Sequence, residues 1–166
     1  MEAAVTAENF DELLLLLGRM NYSWTNTETL LIHFIAGLAG VDKETAIVIF
    51  LTLNTTRARF DLVDRLAKLK RVPGSMRDEI LGVTSEMKDI LKYKNRYNHC
   101  LYSFDGEGRQ AKTILMRVAE TKQGIKFGKS QDLDADEMDR VRKAIRKIER
   151  LNHAAWAIIL KHEFPV

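Results

Sequence analysis

Cysteine and proline are the scarcest structural residues of this chain, with one and two occurrences in 166 residues. A lone cysteine, Cys100, excludes an intrachain disulfide and a thiolate cluster for zinc, and it suits a reducing compartment. Few prolines beside an apolar fraction of 46% point to a folded, helix-rich chain and away from disorder. No apolar run approaches the roughly 20 residues needed to span a bilayer. The run "LLLLL" at 13–17 is short and follows Glu8, Asp11 and Glu12, whereas a signal peptide would carry a basic region there. A cytoplasmic protein with no membrane association is therefore expected. Catalytic signatures are also missing: there is no glycine-rich phosphate loop, no GxSxG elbow and no HExxH. The histidines His33, His99, His153 and His162 form no metal-ligand spacing with another His or Cys within one helix, so neither a metal nor a cofactor is expected.

What is present is first a mild but uneven charge. The net value is +3, too small to identify a nucleic-acid partner. Asp132, Asp134, Asp136, Glu137 and Asp139 precede a basic run of Arg140, Arg142, Lys143, Arg146, Lys147 and Arg150. Acids before bases complement a helix dipole and leave a solvated face. The same run, through Arg142, Arg146 and Arg150, is also a candidate phosphate- or RNA-binding face.

Periodicity organises the rest. Phe10, Leu14, Leu17, Asn21, Trp24, Glu28, Leu31, Ile35 and Leu38 alternate spacings of four and three, the seam of a long helix packed along another. This predicts one helix over about 7–39, ended by Gly40. Asn21 and Glu28 are polar seam positions and each requires a partner. Asp42 is placed to cap a helix over 43–53, whose β-branched, apolar character also suits a buried strand. A third helix is expected over 56–71, stopping before Pro73. Ser75 and Asp78 resemble a capping box for a fourth over 76–102, with Ile80, Val83, Met87, Ile90 and Leu91 as its apolar stripe. After "DGEG" the period changes to two, which predicts a β-hairpin of about 111–128. A last helix is expected over 134–163. The fold class is mainly α: a single-domain helical bundle, residues 1–166, with long first and last helices and a small β insertion.

The stretch "KYKNRYNHCLYSF", Lys92 to Phe104, continues the stripe of the fourth helix with polar residues. Asn95 and His99 are four apart and share a face; Lys94 and Asn98 form a second pair beside it. A histidine among cations and amides can hold a phosphodiester and transfer protons near neutral pH. The same residues can instead serve structure, with Glu28 neutralising Lys94 or Arg96, and Asn95 and Asn98 satisfying the helix end. Adjacent helical residues point about 100° apart, so His99 and Cys100 do not form a nucleophile–base pair.

"KNRYNHCLYSF" resembles the RNxxxH helix end of HEPN-like helical domains, with Lys94, Asn95 and His99 at the Arg, Asn and His of the motif. The order of long first helix, shorter helices, motif helix, insertion and final helix is similar as well. The resemblance implies a bundle that dimerises through the motif face. In active relatives the two protomers form a metal-independent RNA-cleaving site, the Arg holding the phosphate and the His acting in acid–base transfer. Here Lys94 stands where the motif has Arg, and lysine brings charge without the planar bidentate fork. Arg96, three residues before His99, is a second candidate for that role. Two functions follow. One is a dimeric binding or regulatory module, with a polar network that includes Asn21, Glu28 and Asn98 and with a cognate protein partner. The other is a ribonuclease of toxin or defence type using His99, Lys94, Arg96 and Asn95.

Overall fold

A computed structural model describes residues 4–7 and 9–166 of the chain. The fold is mainly α, with long first and last helices and a small antiparallel β insertion. Its helices are α1 (Phe10–Glu28), α2 (Leu31–Ala39), α3 (Lys43–Thr52), α4 (Thr56–Ala67), α5 (Gly74–Asn98) and α6 (Ala135–Lys161). Between α5 and α6 come β1 (Cys100–Phe104), β2 (Ala111–Leu115), β3 (Val118–Thr121), β4 (Gly124–Phe127) and β5 (Ser130–Asp132). The chain divides into two compact units, the first comprising residues up to 21 with 91–146, the second 22–90 with 147–166.

In the first unit the sheet has the order β1-β2-β5, both pairings antiparallel, with Cys100 opposite Leu115 and Lys112 opposite Asp132. The "DGEG" turn closes the β1–β2 hairpin. Asp105 Oδ1 accepts the N–H of Arg109 at 2.7 Å, and Gly108 takes φ 70°, where a residue without Cβ is at ease. Strand β2 is thus bonded along both edges, which leaves β3 and β4 to pair with each other. Within the hairpin expected at 111–128, β3 and β4 do pair across the "TKQG" turn, while β2 belongs to the separate β1-β2-β5 sheet. On β2 Ala111 and Thr113 are buried, while Met116, Val118 and Ile125 are exposed. The placement of the Phe127 side chain lies outside the described residues. Val5 straps this sheet, its N–H on Leu133 O and its carbonyl on Ala111 N. Phe10 meets Tyr102 and Phe104 edge-on at 5.5 and 5.0 Å between ring centres. The buried side of α1 here is Leu13, Leu16, Leu17 and Met20, with Leu14 exposed. A run of five leucines offers a leucine in every register, so the 3.5-residue count through Leu14 selected the wrong neighbour.

In the second unit the run expected as one helix over 7–39 is interrupted after Glu28. The hydroxyl of Thr27 donates to Ser23 O at 2.8 Å and that of Thr29 to Asn26 O at 2.9 Å. Such back-bonding competes with the main-chain ladder and bends it. The backbone tightens to Leu30 N–H on Thr27 O and His33 N–H on Leu30 O, then resumes as α2. Gly40, at φ 69°, ends α2 with its N–H on Ala36 O. Asp42 caps α3 by accepting Thr45 N–H at 2.7 Å, a bond that also holds its carboxyl below the ordinary 3.8. The segment is a helix, not a strand. Thr55 caps α4 in the same way through Ala58 N–H, and α4 stops at Ala67 rather than 71. Helix α5 starts at Gly74, directly after Pro73. Asp78 accepts from Arg77 Nε at 2.9 Å, so the Ser75–Asp78 capping box is replaced by a side-chain pair. Ile80, Val83, Met87 and Ile90 form the buried stripe as expected.

The end of the chain closes over α2. Phe164 is buried with its N–H on Ile159 O at 3.0 Å, and a Cβ added to Gly37 would fall inside its ring. Overpacking a fitted core costs about 1–3 kcal/mol. Gly37→Ala is expected to lower the thermal midpoint by about 2–10 °C. In a Phe164→Ala background the same substitution should cost far less, and equal losses in both backgrounds would refute this packing.

Candidate functional site

The motif helix carries its stripe out of the apolar core into polar residues with an even rhythm. From Met87 and Ile90 the buried positions continue to Lys94, Tyr97 and Cys100. Asn95 and Arg96 are half-buried, while Asn98 and His99 are exposed. Counting on from Leu91 points to Lys94 or Asn95, then Asn98 or His99, then Tyr102; of these Lys94 is buried, and Asn98 and His99 are exposed. Ile90 is the residue that faces the core, and that one-position difference turns the end of the helix. Helix α5 itself ends at Asn98, and Tyr102 belongs to β1, not to a helix reaching 102. One further turn is retained, since His99 N–H donates to Asn95 O at 3.2 Å, and His99 O accepts from Met116 N–H at 2.9 Å. Cys100 is buried, its thiol donating to Tyr97 O.

The chemical centre of this unit is a residue outside the motif. Glu137 is 1% exposed, in the first turn of α6. Its N–H is capped by Asp134 Oδ1 at 2.8 Å. Its carboxylate is enclosed: Tyr97 O–H donates to Oε1, Tyr93 O–H lies 3.4 Å from the same oxygen, and Arg140 Nη1 donates to Oε2. Arg96 Nη2 stands 3.7 Å from Oε1, with the guanidinium centre 5.6 Å from the Tyr97 ring centroid. That Nη2 is the one buried side-chain nitrogen or oxygen without a hydrogen-bond partner among the described residues. Burial pushes the Tyr93 phenol up to about 12, and the Tyr97 phenol rises further through burial and its bond to Glu137. Sequence reasoning missed Tyr93, Tyr97 and Glu137. The i,i+4 tyrosines of "YKNRY" were the available signal, because two buried hydroxyls on one helix face demand a shared acceptor.

Glu28, in the second unit, finds its partner elsewhere than on the motif helix. Its Oε2 accepts Trp24 Nε1–H and its Oε1 accepts Arg59 Nη1–H, each at 2.8 Å. Arg59 lies 4.1 Å over the Phe50 ring and donates through Nε to Phe50 O at 3.2 Å. Asn21 is half-buried on α1 in the first unit. Along α6, Arg142 pairs with Asp139 at 2.6 Å and with Glu12. Arg150 and Lys147 share Glu86 at 2.8 and 3.4 Å, which lowers that carboxyl's pKa. Arg146 is exposed and, among the described residues, enters no ion pair. Most of the basic run is thus neutralised by its own chain.

The second unit also contains a cleft of about 620 Å³ that includes Thr27, His33, Lys43, Glu149, Asn152 and Trp156 in its lining. His33 is satisfied on one side, its Nδ1 sitting 2.7 Å from Pro165 O. Among the described residues no group of three or more His, Cys, Asp or Glu side chains could hold a metal ion. No described helix is long and apolar enough to cross a membrane. No protein-family model, curated protein or solved structure matches the chain.

Two measurements test these polar centres. Arg59→Leu strands the Glu28 carboxylate and is expected to cost about 2–4 kcal/mol, somewhat less than the ~3–5 kcal/mol of a fully buried broken pair because both side chains keep some exposure. Adding Glu28→Gln, which keeps an acceptor for Trp24, should recover more than half of that loss in chemical denaturation. For the tyrosines, the folded state binds the phenolic proton more tightly than the unfolded chain, whose ordinary value is 10.0. Their contribution is complete below pH 10; that of Tyr93 is lost as the pH rises toward about 12, and that of Tyr97 declines through the same window and beyond. Denaturant midpoints should therefore fall across that window, and fall less in Tyr93→Phe/Tyr97→Phe.

Proposed function

We propose that this chain is a HEPN-like helical module that acts as a homodimer and binds a partner through the exposed end of its motif helix. The observation that carries this reading is the engagement of Arg96. A group that is to hold a scissile phosphate must offer an uncompensated cation to solvent. Arg96 instead faces the buried carboxylate of Glu137, and Lys94 is itself buried. What remains outward is a pair of hydrogen-bonding side chains, Asn98 and His99, at the end of α5. Such a pair suits recognition between protein surfaces, where polar groups fix register and partner choice.

The exposed imidazole of His99 supports a second reading, metal-independent cleavage of RNA phosphodiesters with His99 as acid or base. In that reading Arg96 or Lys94 holds the phosphate and Asn95 orients it. On α6, RNA contact would rest mainly on Arg146, since Arg142 and Arg150 are paired with acids.

The two readings separate in one pair of assays on the purified protein and its His99→Ala variant: light-scattering mass, and RNA cleavage in the presence of chelator. The binding module is expected to be a dimer that leaves RNA intact. His99→Ala should weaken dimerisation by about tenfold, a loss of about 1.4 kcal/mol, with little change in the melting temperature. Chelator-resistant cleavage that disappears in His99→Ala would replace this reading with the nuclease.

A further inference from the structure

The cleft of the second unit has a donor and acceptor pattern that follows from its own hydrogen bonds. Thr27 O–H donates to the carbonyl of Ser23 at 2.8 Å, and a carbonyl can only accept. The Thr27 oxygen is therefore an acceptor toward Asn152, whose Nδ2 lies 3.2 Å away. This fixes the amide orientation and leaves Asn152 Oδ1 without a protein partner. His33 Nδ1 lies 2.7 Å from the carbonyl of Pro165, so it carries the proton, and in the neutral ring Nε2 is left as an acceptor. Arg96 holds the one buried side-chain nitrogen or oxygen without a partner among the described residues. The free acceptors of Asn152 and His33 are therefore not sealed from solvent, and both residues line the cleft.

Around these acceptors stand a flat wall and two charges. Trp156 lines the cleft and packs against the His33 ring at 5.2 Å between centres, and the exposed Tyr22 stands at the same lining. Glu149 and Lys43 lie on the rim, and among the described residues neither enters an ion pair. A ligand matched to this set is flat enough to stack on an indole, rich in N–H donors, and positively charged for Glu149. An ammonium has the charge but no plane, and a nucleobase has the plane but no charge. We propose that the cleft binds a guanidinium group, stacked on Trp156, donating to Asn152 Oδ1 and His33 Nε2 and paired with Glu149. Its volume lies in the range of small-molecule sites. Lys43 would meet the carboxylate when the guanidinium belongs to free arginine.

The test is titration of the full chain with L-arginine, Nα-acetyl-arginine methylamide, citrulline, lysine and adenosine, followed by tryptophan fluorescence and by NMR of the His33 and Asn152 side chains. Both arginine probes are expected to bind and to perturb those signals, with citrulline and lysine at least about tenfold weaker. Glu149→Gln, at an exposed position, should weaken both arginine probes about tenfold without changing the melting temperature. Lys43→Gln separates the sources. Selective weakening of free arginine identifies the amino acid as ligand, and equal affinity of free and capped forms in both proteins identifies an arginine side chain of a peptide. The proposal is overturned by citrulline or adenosine binding as tightly as arginine, by Glu149→Gln leaving arginine affinity unchanged, or by no response to either arginine probe at about 10 mM.

Discussion

A carboxylate withdrawn from water must be surrounded by donors or give up its charge, and Glu137 shows how much structure that requirement organises. Its oxygens collect hydroxyls from Tyr93 and Tyr97 and guanidinium groups from Arg96 and Arg140. Its main-chain N–H anchors the start of α6 on Asp134. The cost of burying the anion is several kcal/mol, and only a nearly complete donor set offsets it. This one side chain therefore sets the orientation of the last turns of the motif helix. With Tyr97 and Arg96 drawn toward Glu137, the two residues that follow them, Asn98 and His99, are turned outward.

The same physics appears in the second unit with a different solution. Glu28 is held by one indole N–H and one arginine, and the arginine is in turn fixed by stacking on Phe50 and by its backbone carbonyl. Glu28 is also the last residue of α1, next to the hydroxyls of Thr27 and Thr29 that bend the chain into α2. The bend has a consequence beyond geometry. Thr27, having given its proton to Ser23, orients the Asn152 amide, and so a local backbone irregularity determines which polar atom the neighbouring cleft presents. Irregular backbone and candidate binding groups coincide there because both arise from side-chain oxygens competing with the helix ladder.

Much of this was legible in the residues, and the reasons differ from place to place. Gly40, Asp42, Thr55 and Asp134 announced helix ends because caps are local: a side-chain oxygen accepts an N–H three residues on, or a left-handed glycine closes the last turn with its own N–H, both within the reach of sequence reasoning. The alternating period after "DGEG" was legible as well, whereas β1, which precedes it, was read as the end of a helix. Strand partners were not legible. Strand β2 pairs with β1 and β5, and the alternation that identifies a strand is silent about its neighbour. At the motif, the spacing of Lys94, Asn95 and His99 was visible, but which of them faces inward was not. Ile90 and Leu91 are equally apolar, and choosing between them rotates everything that follows by about 100°.

The amino-acid sequence by itself determined the helical class, the position of the β insertion and most of the helix boundaries. These depend on propensity, period and capping, whose physical range is a few residues. It also determined that Glu28 needed a partner, because a carboxylate at a seam position cannot stand alone. Only the tertiary structure decided that the partner is Arg59, that Glu137 is the acid to which the motif helix turns, and that His33, Asn152 and Trp156 line one cleft. Pairing energy depends on separation in space, and Glu28 and Arg59 meet across a fold that neither residue specifies alone.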